Sequence, residues 1–339
     1  MINWLSRHKL LILLLIFVYA YYFLAYHQPH HQAIQQAQEV QGVKTNVTLF
    51  EEPEAGREPI LTAINNAKQS VHVEVYLLSD QQIIDALIAK KAEGLDVKVM
   101  LEEHPFGGGK VNVKSKAALV AAQVSVQFTN PSYALTHEKS IIIDGNEVFI
   151  LNQNLTTSAF DKNREYDVID DNLSDAQEVE RIFEADWNRT EFTPGDSNLV
   201  LSPINSRAKL ASLIMNAASE IDLEMEVITD REMLTLLENK SKTAKVMVII
   251  PDFKKIAANE KSARALEDSG IDVRTISSPY IHAKLIISDD SKAYVGSINF
   301  TSQSMDDNRE LGIILSELGV LQKLTQSFDS DWSQAVDYK

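Results

Sequence analysis

The chain has 339 residues, 45% of them hydrophobic and 24% charged, with a formal net charge of −16. Such proportions are ordinary for a globular protein with a sizeable core, and the length suggests about two domains. The acidic balance disfavours nucleic acid as a partner, since non-specific binding draws on a basic surface, and the lack of cysteine excludes disulfides and thiolate chemistry.

Residues 10–26 form an unbroken apolar and aromatic run preceded by Arg7 and Lys9. As a helix this run would measure roughly 25 Å, slightly short of the ~30 Å hydrocarbon core of a bilayer. Trp4 and Leu5 before it, with Tyr21, Tyr22 and Tyr26 at its end, extend it as an aromatic belt. Residues 1–26 are therefore expected to be an uncleaved transmembrane anchor. The alternative is a signal peptide, against which stands the lack of an A-x-A-like site. Either reading leaves the positive flank inside and exports the bulk of the chain to the periplasmic or extracellular side. Residues 27–45 are polar and Gln-rich, and His27, His30 and His31 there read as part of a solvated tether.

Beyond the tether, strand and helix patterns alternate. Residues 60–68 carry apolar side chains at helical spacing, and Val71, Val73, Val75 and Leu77 alternate as in a strand. Asp80 is placed to cap a helix that stops near Gly94, and residues 97–101 read as a strand. The plan recurs as a helix over 210–219, a strand over 221–228, Asp230 as a cap and a strand over 245–250. This alternation predicts an α/β fold with mostly parallel pairing in each half. The breaker cluster at 193–198 divides residues 46–194 from residues 195–339. Residues 102–110 follow a predicted strand but lack the spacing of a nucleotide-binding P-loop, which leaves a substrate-facing or a free surface loop.

The two halves repeat each other. His282, Lys284, Asp289, Gly296, Ser297 and Asn299 read H-x-K-x4-D-x6-G-S-x-N, and His137, Lys139, Asp144 and Asn154 stand 145 residues earlier. Glu165 and Glu310, inside two Asn-Arg-Glu triplets, keep that shift, as do Phe183/Phe328, Asp186/Asp331 and Trp187/Trp332. One such motif arises by chance; two long copies at one offset do not. In the first copy Leu151-Asn152-Gln153-Asn154 replaces Gly-Ser-x-Asn, and Asn152 still offers a side-chain donor where a Ser hydroxyl would stand.

Both copies resemble the paired signature of the phospholipase D superfamily, over nearly everything after residue 45. The resemblance implies two tandem repeats about a pseudo-twofold axis, with one site shared by His137, Lys139, His282 and Lys284. On a strand, residues i and i+2 share a face, so each His projects beside its Lys. The two ammonium groups, with Asn154 and Asn299 and with Asn152 and Ser297 at the matching motif positions, would hold phosphodiester oxygens. One neutral imidazole then attacks phosphorus to form a phosphohistidine, and the other protonates the leaving alcohol. By resemblance His137 is the nucleophile and His282 the acid, each oriented by a carboxylate; Glu165 is the one expected to serve His137, and Glu310 stands 28 residues after His282 as Glu165 does after His137. Asp144, Asp289 and Gly296 read as structural. No metal and no cofactor is required, because fixed cations supply the charge.

The expected activity is hydrolysis of phospholipid headgroups by a membrane-anchored phosphodiesterase. The alternatives are a cardiolipin-synthase-like phosphatidyltransferase, an exported nuclease, which the charge disfavours, and an inactive phospholipid-binding module. No obligate protein partner is expected.

Overall fold

A computed structural model describes residues 47–195, 197–252 and 254–338. The expected anchor (1–26), the tether (27–45) and the membrane localisation drawn from them lie outside the described residues. Among those residues no helix is long and apolar enough to cross a membrane.

The sequence repeat becomes two eight-stranded sheets. The first holds β1 (Val47–Glu52), β2 (Ser70–Val75), β3 (Asp96–Leu101), β4 (Ser125–Phe128), β5 (Lys139–Ile143), β6 (Glu147–Ile150) and β7 (Asn163–Asp170), in the order β1-β7-β6-β5-β2-β3-β4. The second half supplies β8 (Leu199–Ser202), β9 (Glu220–Met225), β10 (Lys245–Pro251), β11 (Asp272–Ile276), β12 (Tyr280–Ile281), β13 (Lys284–Ser288), β14 (Lys292–Gly296), β15 (Glu310–Leu315) and β16 (Val336–Asp337). Its sheet runs β16-β11-β10-β9-β13-β14-β15-β8, while β12 crosses to pair with β7 of the first sheet.

The pairing departs from the mostly parallel expectation. Within the two sheets only β2-β3-β4 and β9-β10-β11 are parallel, and all other neighbours are antiparallel except the crossing β12–β7 pair. Connection length explains the split. Parallel neighbours are joined through helices such as Gln81–Ala92 and Arg231–Lys240, which give room for a crossover. β5 and β6 are joined by Asp144, Gly145 and Asn146, with Asp144 at φ 53° and Gly145 at φ 68°. A connection that short closes a hairpin and nothing else. The helix caps follow the sequence, since Asp80 accepts from the Gln82 and Ile83 amides and Asp230 from the Met233 amide.

The central strands are apolar on both faces because both faces are covered. Ile141 and Ile143 of β5 pack with the first half's outer helices, and Ile142 between them joins a core that spans both halves. In β13, Leu285 and Ile287 join that shared core and Ile286 packs on the other side. This is the two-residue period of a strand. The shared core also takes Ile182 and Phe183 from helix Leu173–Asn188 and Leu324 and Phe328 from helix Leu318–Gln334. Residues 46–339 accordingly form one compact unit.

Candidate active site

Each H-x-K segment lies along the Asn-Arg-Glu segment of the opposite half. The amides of His137 and Glu138 donate to the Arg309 carbonyl, at 2.8 and 3.0 Å, and the His282 amide donates to the Arg164 carbonyl at 3.2 Å. The short β12 pairs in register with Asn163 and Arg164 immediately before His282. These cross-half backbone bonds bring four side chains of the signature together.

The carboxylate pairing consequently crosses the joint. His137 Nδ1 lies 2.9 Å from Glu310 Oε2, and His282 Nδ1 lies 2.7 Å from Glu165 Oε2. The expectation that Glu165 serves His137 is corrected by this geometry: β7 carries Glu165 to the mouth of the second half's strand β13. A carboxylate at Nδ1 fixes the tautomer and leaves Nε2 free for chemistry.

The triplets do more than supply carboxylates. Asn163 Nδ2 donates to Glu165 Oε1 at 2.9 Å, and Asn308 Nδ2 donates to Glu310 Oε1 at 3.1 Å. Arg164 binds Asp331 through Nε and Nη2 at 2.6 and 3.1 Å, and Arg309 binds Asp186 at 2.6 and 2.9 Å. These aspartates belong to the two F-x-x-D-W copies, so each copy locks the other half's triplet. Phe183 stacks on Trp187 and Phe328 on Trp332, with ring centroids 5.8 Å apart in each pair. The Arg309–Asp186 pair is wholly buried, and removing one partner of such a pair typically costs about 3–5 kcal/mol.

The site is buried yet reachable: the His137 and His282 side chains keep 14% and 11% of their surface exposed. Lys139 and Lys284 are buried, and each Nζ donates to the carbonyl of its own His at 2.6 Å. Burial lowers His137 from its ordinary value; Glu310 opposes this, and Lys139 and Lys284 add to it. Burial also brings Lys139 down to about 7, against the pull of Glu310 and with the push of Lys284. Burial would raise Glu310, but His137 and Lys139 hold it below the usual carboxylate range. Side chains of both halves thus act on one another's ionisation.

The motif residues around the histidines divide by role. Asn152 is fully buried, and its Nδ2 donates to the His282 and Gly296 carbonyls at 3.3 and 3.0 Å. It is a peg between the halves and does not face phosphate, which corrects its expected substrate-binding place. Ser297 is likewise fully buried, donating to the Leu311 carbonyl and accepting from its amide. Asn299 does reach the site, with Nδ2 3.3 Å from Glu226, and Asn154 is half-buried beyond β6. Asp144 accepts from the amides of Lys68, Gln69 and Ser70, and Asp289 from those of Ala218, Ser219 and Glu220. Gly296 is a close approach: a Cβ there would sit 2.3 Å from Gly312 Cα.

Several site residues carry no sequence motif. Tyr76 sets its ring edge-on to His137 at 4.8 Å, and its hydroxyl accepts from the Phe106 amide. Glu102 accepts from the Thr136 amide at 2.7 Å, so the loop over 102–110 is tied to the approach to His137. Glu226 lies 2.8 Å from Lys284 Nζ and 3.5 Å from His282 Nε2, and Tyr280 donates to it at 3.0 Å. Among the described residues, two acidic clusters have ligand types suited to a metal, His72 with Glu180 and Glu184, and Glu74 with Glu138 and Asp186. Each already has a cationic partner, Lys98 at Glu184 and Arg309 at Asp186.

Known proteins show the same plan. The chain is 24% identical over 338 residues to cardiolipin synthase 1 of Staphylococcus epidermidis, covering 85% of this chain and 68% of that protein. It is 21% identical over 348 residues to cardiolipin synthase 1 of Bacillus cereus, covering 87% of this chain and 68% of that one. Its fold matches that of phosphatidylserine synthase of Haemophilus influenzae, with a TM-score of 0.68, 13% identity and coverage of 87% of this chain and 88% of that one. Polyphosphate kinase of Porphyromonas gingivalis matches with a TM-score of 0.70 and 13% identity, over 86% of this chain and 48% of that one. The family described as "Cardiolipin synthase, PLD-like domain" matches twice, over residues 60–187 and 210–332, and the chain belongs to that family, within the phospholipase D superfamily.

Proposed function

We propose that this chain is a phosphatidyltransferase of the cardiolipin synthase type, working through a phosphohistidine. One observation carries the reading: each catalytic histidine is held by the carboxylate of the opposite half, so two imidazoles and two lysines form a single site. Two imidazoles in different protonation states are what a two-step phosphodiester exchange uses. That the relatives are cardiolipin synthases supports transfer ahead of the hydrolysis expected from sequence.

His137 is the nucleophile. Burial favours the neutral form of its ring, Glu310 fixes the Nδ1 proton, and Nε2 attacks phosphorus. Lys139, Lys284 and Asn299 meet the charge that develops on the non-bridging oxygens. His282, with Nδ1 2.7 Å from Glu165 and Nε2 turned into the site, takes the part of the acid. As the bond from phosphorus to the leaving oxygen breaks, that oxygen takes the His282 proton. An acceptor hydroxyl then returns a proton to His282 while its oxygen attacks phosphorus and releases His137. Phe106, 92% exposed beside Tyr76, gives an apolar contact for an acyl chain near the site.

The test is incubation of the full chain with phosphatidylglycerol labelled in its acyl chains. Transfer yields labelled cardiolipin and free glycerol, and both disappear in His137→Ala and His282→Ala. Labelled phosphatidate as the sole product would replace transfer by hydrolysis. Turnover surviving either substitution would remove the shared site altogether.

A further inference from the structure

The two halves can be compared position by position, and at one position next to the lysines they differ in charge. Lys139 pairs with Val75 in the β5–β2 register, and Lys284 pairs with Met225 in the β13–β9 register. Tyr76 and Glu226, the residues that follow, are therefore counterparts. In the first half the phenol ring lies 5.5 Å from Lys139 Nζ and its hydroxyl is bound to the Phe106 amide. In the second half a carboxylate takes the place. Glu226 Oε2 lies 2.8 Å from Lys284 Nζ, 3.3 Å from Asn299 Nδ2 and 3.5 Å from His282 Nε2, and Oε1 accepts from the Tyr280 hydroxyl at 3.0 Å.

These are the lysine, asparagine and histidine of the second signature, the donors that the proposed function assigns to a phosphodiester. A carboxylate held by them presents two anionic oxygens where phosphate would present its own. Burial alone would raise Glu226, but His282 and Lys284 overcome it and hold the group well below the usual carboxylate range. The anionic form of Glu226 is thus the favoured one among these donors.

We propose that Glu226 is a displaceable internal anion and a specificity-determining residue: it occupies the second half's phosphate donors until a singly charged phosphodiester takes them, and it excludes doubly charged phosphates. This inference rests on the reading of the site as one that binds phosphodiesters. A dianion brings one more negative charge against the carboxylate than a diester does, and like charges at this range repel strongly where water is scarce. The same repulsion favours departure of any phosphomonoester formed when water intercepts the phosphohistidine. Tyr76, uncharged, leaves the first half open to substrate, so the carboxylate makes the two ends of the site unequal.

The experiment measures binding of inorganic phosphate and of dimethyl phosphate to the full chain by calorimetry, at neutral pH, where a large share of inorganic phosphate is dianionic and Lys139 still keeps part of its charge. The wild type is compared with Glu226→Gln, Glu226→Tyr and Lys139→Met. Both Glu226 variants should bind inorganic phosphate at least tenfold more tightly, with a smaller gain for dimethyl phosphate. The tyrosine variant copies the first half's side chain and gives a second measurement should the glutamine variant fail to fold. Unchanged or weaker phosphate binding in a folded variant, with binding lost in Lys139→Met, overturns the role of Glu226 and leaves the phosphodiester site standing. Equal tightening of the two probes overturns the exclusion of dianions. Phosphate binding that is absent, or indifferent to Lys139→Met, sinks the reading of the site and the role of Glu226 together.

Discussion

Glu310→Gln tests the crossed pairing most directly. Glu310 is fully buried, with one oxygen 2.9 Å from His137 Nδ1 and the other held by Asn308. Glutamine keeps the shape and removes the charge. A hydrogen bond to a charged partner contributes about 1.5–3 kcal/mol, and ~1.4 kcal/mol is tenfold in rate. Attack by His137 should therefore slow roughly 10- to 150-fold. The assay is a single-turnover burst with a p-nitrophenyl phosphodiester, whose leaving group needs no proton. Glu310→Gln should slow that burst, whereas Glu165→Gln, acting on His282 across the joint, should leave it near wild type and slow only alkyl substrates. The opposite pattern, with Glu165→Gln slowing the burst and Glu310→Gln silent, would refute both the assigned roles and the reasoning from the crossed carboxylates.

Three further outcomes follow from the same geometry. The pH profile of kcat/KM should climb as His137, lowered by burial, sheds its proton, and fall again as Lys139 loses its charge near about 7; a flat profile on the alkaline side would contradict the lysine's part in binding. Asn152→Ala should lower stability by about 1–3 kcal/mol in a denaturant titration, because two buried carbonyls lose their donor, while KM stays unchanged; a raised KM with unaltered stability would return Asn152 to the substrate. Gly296→Ala would place a methyl 2.6 Å from the Leu311 carbonyl and closer still to Gly312 Cα, both backbone atoms, so expression should yield little folded protein, and a soluble variant melting like the wild type would disprove the close approach.

The chemistry was legible in the chain because it is written twice. His137 with Lys139 and His282 with Lys284 declare themselves by repetition, and so do the helix caps Asp80 and Asp230. The partner of each histidine was not legible: Glu165 and Glu310 follow their own histidines by the same interval, so the spacing is blind to a swap between halves. The run of β12 along Asn163 and Arg164, and of His137 and Glu138 along Arg309, decides it. Asn152 misled for a related reason. Its amide suits phosphate, but the peptide carbonyls of His282 and Gly296 reach it first. Glu226 lies outside every motif, and its meaning comes from standing where the first half has Tyr76. The parallel reading of the sheets failed where three-residue turns intervene, because alternation of strand and helix was visible only in the first part of each half.

The crossed triplets bear on how such a chain could be divided. Each half holds a histidine and a lysine but borrows its carboxylate, and each buried aspartate is spent on the arginine opposite. A single half expressed by itself would carry an imidazole without its orienting group and a guanidinium without its counter-ion, and could make them good only by pairing with a second copy. The linked chain behaves as a dimer whose subunits were fused. In the linked chain the two halves differ at matching positions, Leu-Asn against Gly-Ser and a phenol against a carboxylate. A self-paired dimer changes both sides at every substitution, so it could not carry an uneven active site of this kind, whereas the linked chain does.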